Sequence, residues 1–308
     1  MTVANAAHAP TVGVIGLGSM GMGVALSLVR AKLEVHGCDA RPELVDSFRR
    51  AGGFAAANPA DLAGRVEVVI TLVVNAEQTD EVLFGPAGAA PALRRGSVVI
   101  SSATVAPEYA ARLGDRLRAL GLLHLDAPVS GGAARAAAGQ LSIMASGSPA
   151  AFERCGPVLD AIAAKVYRLG EEPGLGSKVK MVNQLLAGVH IAAAAEAMAL
   201  CIKAGADPAV VYDVICNSAG GSWMFQNRVP HILAGDYTPL SAVNIFVKDL
   251  AIVLDSARKA GMALPLTATA HQMYLLAAAA GHGGEDDSAV IKIFPGVDLP
   301  SGAAKRGG

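Results

Sequence analysis

The chain has 308 residues, enough for two ordinary domains and too many for a disulfide-stapled miniprotein or a bare recognition motif. Its 25 Lys and Arg against 26 Asp and Glu leave a formal charge of −1, so there is no global basic field to hold nucleic acid or an anionic membrane, and any anionic ligand is held locally. Hydrophobic residues make up 53% and aromatics 4%, an apolar fraction carried by Ala, Val and Leu that suits closely packed helices and buried strands.

Residues 12 to 29 form an uncharged, largely apolar run whose length alone would admit a membrane span or a signal peptide. Neither is expected, because Gly13, Gly16, Gly18, Gly21 and Gly23 break the run and Met1 to Pro10 carries no Lys or Arg. The segment reads instead as a strand, Thr11–Ile15, a glycine turn, and a helix, Met20–Lys32. At the turn stands Gly16-Leu17-Gly18-Ser19-Met20-Gly21, a GxGxxG in the strand-to-helix context that a dinucleotide fingerprint requires. Gly16 allows the tight turn, Gly18 lets the backbone approach a pyrophosphate, and Gly21 lets the helix pack closely on the strand. Amides at the helix start, with Leu17, Ser19 and Met20 in the same turn, then supply an anion site without a basic side chain.

A second strand, Glu34–Cys38, is closed by Asp39, 18 residues beyond Gly21. A carboxylate there accepts hydrogen bonds from the adenosine ribose and repels a 2′-phosphate, which predicts NAD as cofactor, with Arg41 softening the preference. Asp39 also suits a helix N-cap ahead of Arg41-Pro42, and the two roles are compatible. Strands follow at Val66–Val74, Ser97–Ser101, Leu122–Leu125 and Leu141–Ala145, and near Val166–Leu169, separated by helical patterns. Runs as apolar as Val68–Val74 predict a parallel sheet covered on both faces.

The Gly- and Pro-containing joint Gly170–Gly176 ends this alternation. Beyond it the patterns are helical, at about Ser177 to Ala204, Pro208 to Asn217, Ser241 to Ala260 and Pro265 to Ala280. Leu185–Ile202, interrupted by His190 and Glu196, is expected to be a buried helix and not a span. The predicted organisation is an α/β Rossmann-type N-terminal domain over residues 11–174, an all-α domain for substrate binding and oligomerisation over 175–294, and a mobile tail over 295–308. Cys38, Cys155, Cys201 and Cys216 show no CxxC pair, which suits reduced thiols in a cytoplasmic protein, and the seven histidines show no ligand spacing, so no metal is expected.

Three further segments combine small residues with isolated polar groups. Ser130 with the amides of Gly131 and Gly132 makes a donor cluster suited to a carboxylate. Lys180 and Asn183 sit three apart near the start of an apolar helix and face the same way, on a stripe that continues to His190, which is read as a packed core histidine. Lys248 opens Lys248-Asp249-Leu250 one helix later.

Taken together, Gly16 to Gly21 (GLGxMG), Asp126 to Gly132 (DAPVSGG), Gly174 to Asn183 (GxGxxxKxxN) and Lys248 to Leu250 (KDL) occur in an order that resembles the β-hydroxyacid dehydrogenase family, which includes 3-hydroxyisobutyrate dehydrogenases and tartronate semialdehyde reductases. The likeness runs from about residue 11 to 294, and Lys178–Leu200, Ser222-Trp223-Met224-Phe225 and Gly281–Ile293 most resemble the L-threonate-oxidising members. The resemblance implies an NAD-dependent dehydrogenase that oxidises a small hydroxy acid, L-threonate at C2 ahead of 3-hydroxyisobutyrate or another 3-hydroxy acid, while the small side chains of the Ala-rich helix Ser177–Ala204 allow the close helix packing of a homodimer or homotetramer. It makes Lys180 the general base, which needs a lowered pKa, and Asn183 a positioning group, in a cleft lined by Lys180 and Ser130. Lys248 would contact cofactor or substrate, and Thr104 the nicotinamide ribose, with Ala103 altering the family's usual Ser-Ser-Thr. Leu72-Val73-Val74-Asn75 stands where many members have Leu-Pro, leaving Val73 and Val74 a backbone contact with the cofactor. Trp223 and Phe225 either wall the substrate pocket or pack in the core. Imine reductases share the architecture but generally lack the lysine, and a dinucleotide-binding module without turnover would not need Lys180 or Asn183.

Overall fold

The computed structural model describes residues 9–300 and divides into two compact units between Lys180 and Met181. The first unit alternates strands and helices: β1 (Val12–Ile15), α1 (Ser19–Arg30), β2 (Val35–Cys38), α2 (Pro42–Arg50), β3 (Phe54–Ala55), α3 (Pro59–Ala63), β4 (Val68–Thr71), α4 (Ala76–Phe84), β5 (Val98–Ser101), α5 (Pro107–Ala119) and β6 (Leu123–Asp126). It continues with β7 (Val129–Ser130), α6 (Gly132–Ala138), β8 (Leu141–Gly147), α7 (Pro149–Ile162) and β9 (Ala163–Arg168). The strands lie in the order β3-β2-β1-β4-β5-β6-β8-β7, with β9 paired to β8. The six strands β1 to β6 pair in parallel, whereas β8 runs antiparallel to β6 and β7 and parallel to β9.

Strand sequence explains this arrangement. In β4 and β5, Ile70, Val98 and Ile100 pack with Leu28, Phe48 and Leu125 in one core, while Val69 and Val99 pack with Leu62, Leu83 and Leu113 in another. Both faces are covered, so neither strand alternates with polar residues. The register lines up Cys38, Ile15, Thr71, Ser101 and Asp126 across five strands. All the turns that follow those residues therefore open on one edge, where ligands bind in open α/β sheets.

The expected strand Val66–Val74 is shorter in fact. It ends at Thr71, level with the ends of its neighbours β1 and β5, and Leu72–Asn75 leaves the sheet to start α4, which Asn75 caps by accepting the Gln78 N–H. The two-residue strands β3 and β7 carry too little pattern to be read from sequence. Residues 12 to 29 are a strand, a turn and a helix, each too short to span a bilayer.

The second unit is helical. α8 (Leu175–Lys203) starts before the division and runs through it, followed by α9 (Pro208–Cys216), α10 (Trp223–Ala234), α11 (Val243–Lys259), α12 (Pro265–Ala277) and a 3-10 turn at Asp287–Ile293. Among the described residues α8 is the helix long and apolar enough to cross a membrane by length and composition. Its Ile191, Ala195 and Met198 are spent instead on a core with Phe225, Val229, Phe246, Leu250, Tyr274 and Val290. Within that core Arg228 makes a bidentate pair with Asp287, at 2.5 and 3.1 Å. Burial pushes the Asp287 carboxyl up to about 6 against the pull of that guanidinium. Of the expected tail, residues 301–308 lie outside the described residues; Val297 and Leu299 pack against the helical core, and Lys203 donates to the Gly296 carbonyl.

His124 on β6 is buried with its Nε2 2.8 Å from the Ser101 hydroxyl, and burial, reinforced by Arg118, pushes the imidazole down to about 3. An unfolded chain's imidazole titrates near 6.5, so between those values the unfolded state binds a proton that the folded state refuses. This contribution to stability is complete above pH 6.5 and is lost as pH falls, by at most about 1.4 kcal/mol per pH unit. Urea midpoints measured at descending pH should therefore fall less steeply in His124→Asn than in the unmodified protein; equal slopes would contradict the assignment.

Candidate active site

At the first turn the backbone of Gly16 adopts φ +93, and a Cβ there would stand 2.6 Å from the Leu72 carbonyl oxygen. A Cβ on Gly21 would overlap the Gly16 carbonyl outright, so the turn can close only with glycine at both positions. Gly18 differs, because a Cβ built on it would meet only the Arg41 guanidinium, at 3.4 Å. Gly18 is also the N-cap of α1 and supplies no side-chain acceptor, which leaves the first amides of a twelve-residue helix for an external anion. Ser19 and Met20 form the first residues of that helix. Leu17 points its side chain into the core and donates its N–H to Asp39 Oδ2 at 2.7 Å.

Asp39 is thus tied to the turn it follows. Its Oδ1 accepts the Arg41 N–H at 2.9 Å and Nε–H at 3.0 Å, an Asx-type turn, while Arg41 itself occupies the N-cap position of α2. Burial opposes ionisation of Asp39, but hydrogen bonds from Arg41 and from the Leu17 amide outweigh it and hold the carboxyl below its ordinary range. The turn, the open amides and this carboxylate fit the pyrophosphate and ribose of a dinucleotide. Val73 is half-buried and Val74 exposed in the β4–α4 loop, where Val74 donates its N–H to Gln78. Thr104 is half-buried just past β5 on the same edge.

At the other end of the row, β6 leads through Ala127 and Pro128 into β7, whose Ser130 pairs with Ser142 and is followed by Gly131 and Gly132, both at positive φ. Lys180 is 7% exposed and donates from Nζ to the Val129 carbonyl oxygen at 2.8 Å, one residue from Ser130. The lysine therefore stands beside a Ser-Gly-Gly turn with both glycines at positive φ, and such a pairing of an amine with a hydroxyl and backbone amides has the chemistry to bind an acid and exchange a proton.

Sequence reasoning did not assign Asp126 a role of its own. It is 1% exposed, and its carboxylate accepts the N–H groups of Gly174 and Ser177, both at 2.8 Å, and the Ser177 hydroxyl at 2.7 Å. Burial raises its carboxyl, and the bonds from Ser177 and Gly174 work against that rise. The available signal was its place, an acidic residue at the carboxyl end of a parallel strand.

In the helical unit, Asn183 donates from Nδ2 to Gln184 Oε1 at 2.9 Å, Gln184 donates to Asp249 Oδ2 at 2.5 Å, and Lys248 pairs with Asp249 Oδ1. This chain links α8 to α11 and includes Gln184 and Asp249, whose partnership 65 residues apart no local pattern discloses. Phe225 is buried in the core, stacked on Tyr212 with ring centroids 6.0 Å apart, whereas Trp223 is half-exposed at the start of α10. His190 is half-buried on α8.

Residues 11–170 match the family described as the NAD binding domain of 6-phosphogluconate dehydrogenase, and residues 174–294 match NAD-binding of NADP-dependent 3-hydroxyisobutyrate dehydrogenase. An L-threonate dehydrogenase of Cupriavidus necator is 64% identical over 292 residues, 95% of this chain and 98% of that protein. The chain belongs to the 3-hydroxyisobutyrate-dehydrogenase-like β-hydroxyacid dehydrogenases. As a member of that family it is an oxidoreductase that acts on a CH–OH group with a nicotinamide dinucleotide. A crystal structure of a 3-hydroxyisobutyrate dehydrogenase from Salmonella typhimurium is similar to this dehydrogenase with a TM-score of 0.88 and 53% identity, over 92% of this chain and 99% of that one. A structure of Psf3 in complex with NADP+ and 2-OPP is similar with a TM-score of 0.86 and 26% identity, over 92% and 99%.

The geometry of the glycine turn separates two substitutions. Gly18→Ala adds a methyl group where a pyrophosphate would approach but where the protein leaves room, so NADH affinity should fall about tenfold with the melting temperature unchanged. Gly21→Ala forces α1 off β1, so affinity and melting temperature should fall together. Fluorescence titration and thermal unfolding check both, and a Gly21→Ala protein that melts and binds NADH like wild type would contradict this reading of the turn.

Proposed function

We propose that this dehydrogenase oxidises L-threonate at C2 to the corresponding 2-oxo acid, with NAD as hydride acceptor and Lys180 as general base. The observation that carries the proposal is Lys180 Nζ on the Val129 carbonyl, one residue from the Ser130-Gly131-Gly132 turn. Bound NAD supplies the acceptor for the hydride that leaves C2. Ser130 and the amides of Gly131 and Gly132 hold the substrate carboxylate, which fixes the hydroxyl-bearing carbon. Lys180 takes the hydroxyl proton as the C2–H bond breaks, and returns it in the direction of reduction. Its burial keeps bulk water from competing for that proton. Asn183, less than a turn along the same helix, orients the hydroxyl or the lysine.

Similarity to the Cupriavidus necator L-threonate dehydrogenase supports the C4 substrate. A second reading, 3-hydroxyisobutyrate or another 3-hydroxy acid, is favoured by similarity to the Salmonella typhimurium 3-hydroxyisobutyrate dehydrogenase. The preference for NAD rests on Asp39, because a carboxylate at that position repels a 2′-phosphate and its two bonds to the Arg41 guanidinium occupy the nearby cation. Val182, Leu186 and Leu200, left exposed on α8, support a homodimer or homotetramer, and the unpaired thiols of Cys38, Cys155, Cys201 and Cys216 support a cytoplasmic location.

Initial rates of reduced cofactor formation over hydroxy acids of three to six carbons should be highest for L-threonate, and a higher kcat/KM for 3-hydroxyisobutyrate would select the second reading. NAD should exceed NADP by about tenfold or more in kcat/KM, a difference of about 1.4 kcal/mol, and Asp39→Ala should narrow the gap by releasing Arg41. Equal efficiencies in the unmodified protein would remove the basis for NAD. Lys180→Ala should lower kcat by roughly 10²–10⁴-fold with NADH affinity preserved, and Lys180→Arg should rescue little, since guanidinium keeps its proton.

A further inference from the structure

We propose that Asp126 is a positioning residue that sets the place of Lys180 against the substrate turn; the proposal rests on the reading of Lys180 as the base. Two side chains from neighbouring strands take up the backbone at the start of α8. Asp126 accepts the Gly174 and Ser177 N–H groups, and Ser146, 3.5 Å from Asp126 Oδ2, accepts the Gly176 N–H at 3.0 Å. Gly176 lies so close that a Cβ on it would stand 2.5 Å from the Asp126 carbonyl oxygen. The helix start therefore rests directly on the ends of β6 and β8.

From that anchor two short arms run to the reacting group. One is a helical segment from Ser177 to Lys180, a rise of about 4.5 Å. The other is Asp126 to Val129, stiffened by Pro128 and tied to the sheet by the Ala127 N–H on the Ser101 carbonyl and the Met144 N–H on the Pro128 carbonyl. The arms are joined at one end by Asp126 and Ser177 and at the other by Lys180 Nζ and the Val129 carbonyl. In this closed bracket a displacement at the carboxylate is carried to the lysine. The named bonds of the bracket use residues other than the Gly16–Gly21 turn and Asp39, so cofactor affinity is expected to stay near that of wild type when they are altered.

The test uses Asp126→Asn, which turns an amide N–H₂ toward donors that need an acceptor, and the milder Ser177→Ala, which removes only the hydroxyl bond. Steady-state kinetics with NAD and L-threonate as a function of pH, NADH titration and thermal unfolding are measured on both, with Lys180→Ala alongside. The expected result for Asp126→Asn is a fall of about tenfold or more in kcat, a displaced pH limb in kcat/KM, and NADH affinity within about twofold of wild type; Ser177→Ala should move kcat and the limb in the same sense by about threefold. A folded Asp126→Asn with unchanged kcat and limb would overturn the proposal, as would losses of turnover and cofactor affinity in proportion with the limb unmoved, the mark of a purely structural role. Should Asp126→Asn fail to fold, wild-type kcat and limb in Ser177→Ala would overturn it. Loss of turnover in Lys180→Ala with Asp126→Asn unaffected removes the positioning role alone; wild-type turnover in Lys180→Ala removes the base and the positioning role with it.

Discussion

The carboxylate of Asp126, buried at the end of a parallel strand and surrounded by donors from the start of α8, is the interaction on which the candidate site depends. A charge out of water is costly unless every lone pair that can be used is used. Here two backbone amides and a hydroxyl meet it, and these amides belong to a helix start that would otherwise leave them unpaired. One group thus satisfies the strand end and the helix end together. Stranding a buried donor costs about 1–3 kcal/mol, so the contact holds the helix start in one place.

The same edge of the sheet brings the glycine turn, Asp39 and the proposed substrate turn to one side of the first unit. Register places the ends of β1, β2, β4, β5 and β6 in one row, and each turn beyond that row offers backbone amides or a short polar side chain. Asp126 stands in the row and Asp39 one residue past it, and both carboxylates take backbone amides from a neighbouring turn or helix start. α6 begins at Gly132 and packs on α1 so closely that a Cβ on Gly23 would stand 2.7 Å from the Ala137 nitrogen. Small residues thus let α6, which follows the Ser130–Gly132 turn, pack closely on the helix of the glycine turn.

Much of this was legible in the sequence because it depends on local pattern. The continuous apolar runs at Val68–Thr71 and Val98–Ser101 announced strands buried on both faces, and Gly16, Gly18 and Gly21 announced the turn by spacing. What escaped depends on partners distant in the chain. β7 is a strand only because Val129 and Ser130 pair with Ile143 and Ser142. α10 was hidden by Pro230 within it, although Ser222, which accepts the Phe225 N–H, was a readable N-cap. Phe225 and Trp223, two residues apart, have different fates because the helix turns one into the core and leaves the other half-exposed, a distinction their spacing alone did not make. Asp126 was legible as part of a motif, but its service to a helix some fifty residues later was not.

A crystal structure of the ternary complex with NADH and L-threonate would place the substrate carboxylate and the reacting hydroxyl against Ser130 and Lys180. The substrate carboxylate is expected on Ser130 and the amides of Gly131 and Gly132, with the C2 hydroxyl oxygen about 3 Å from Lys180 Nζ. A carboxylate bound away from that turn, or a hydroxyl other than that of C2 on Lys180, would contradict this placement.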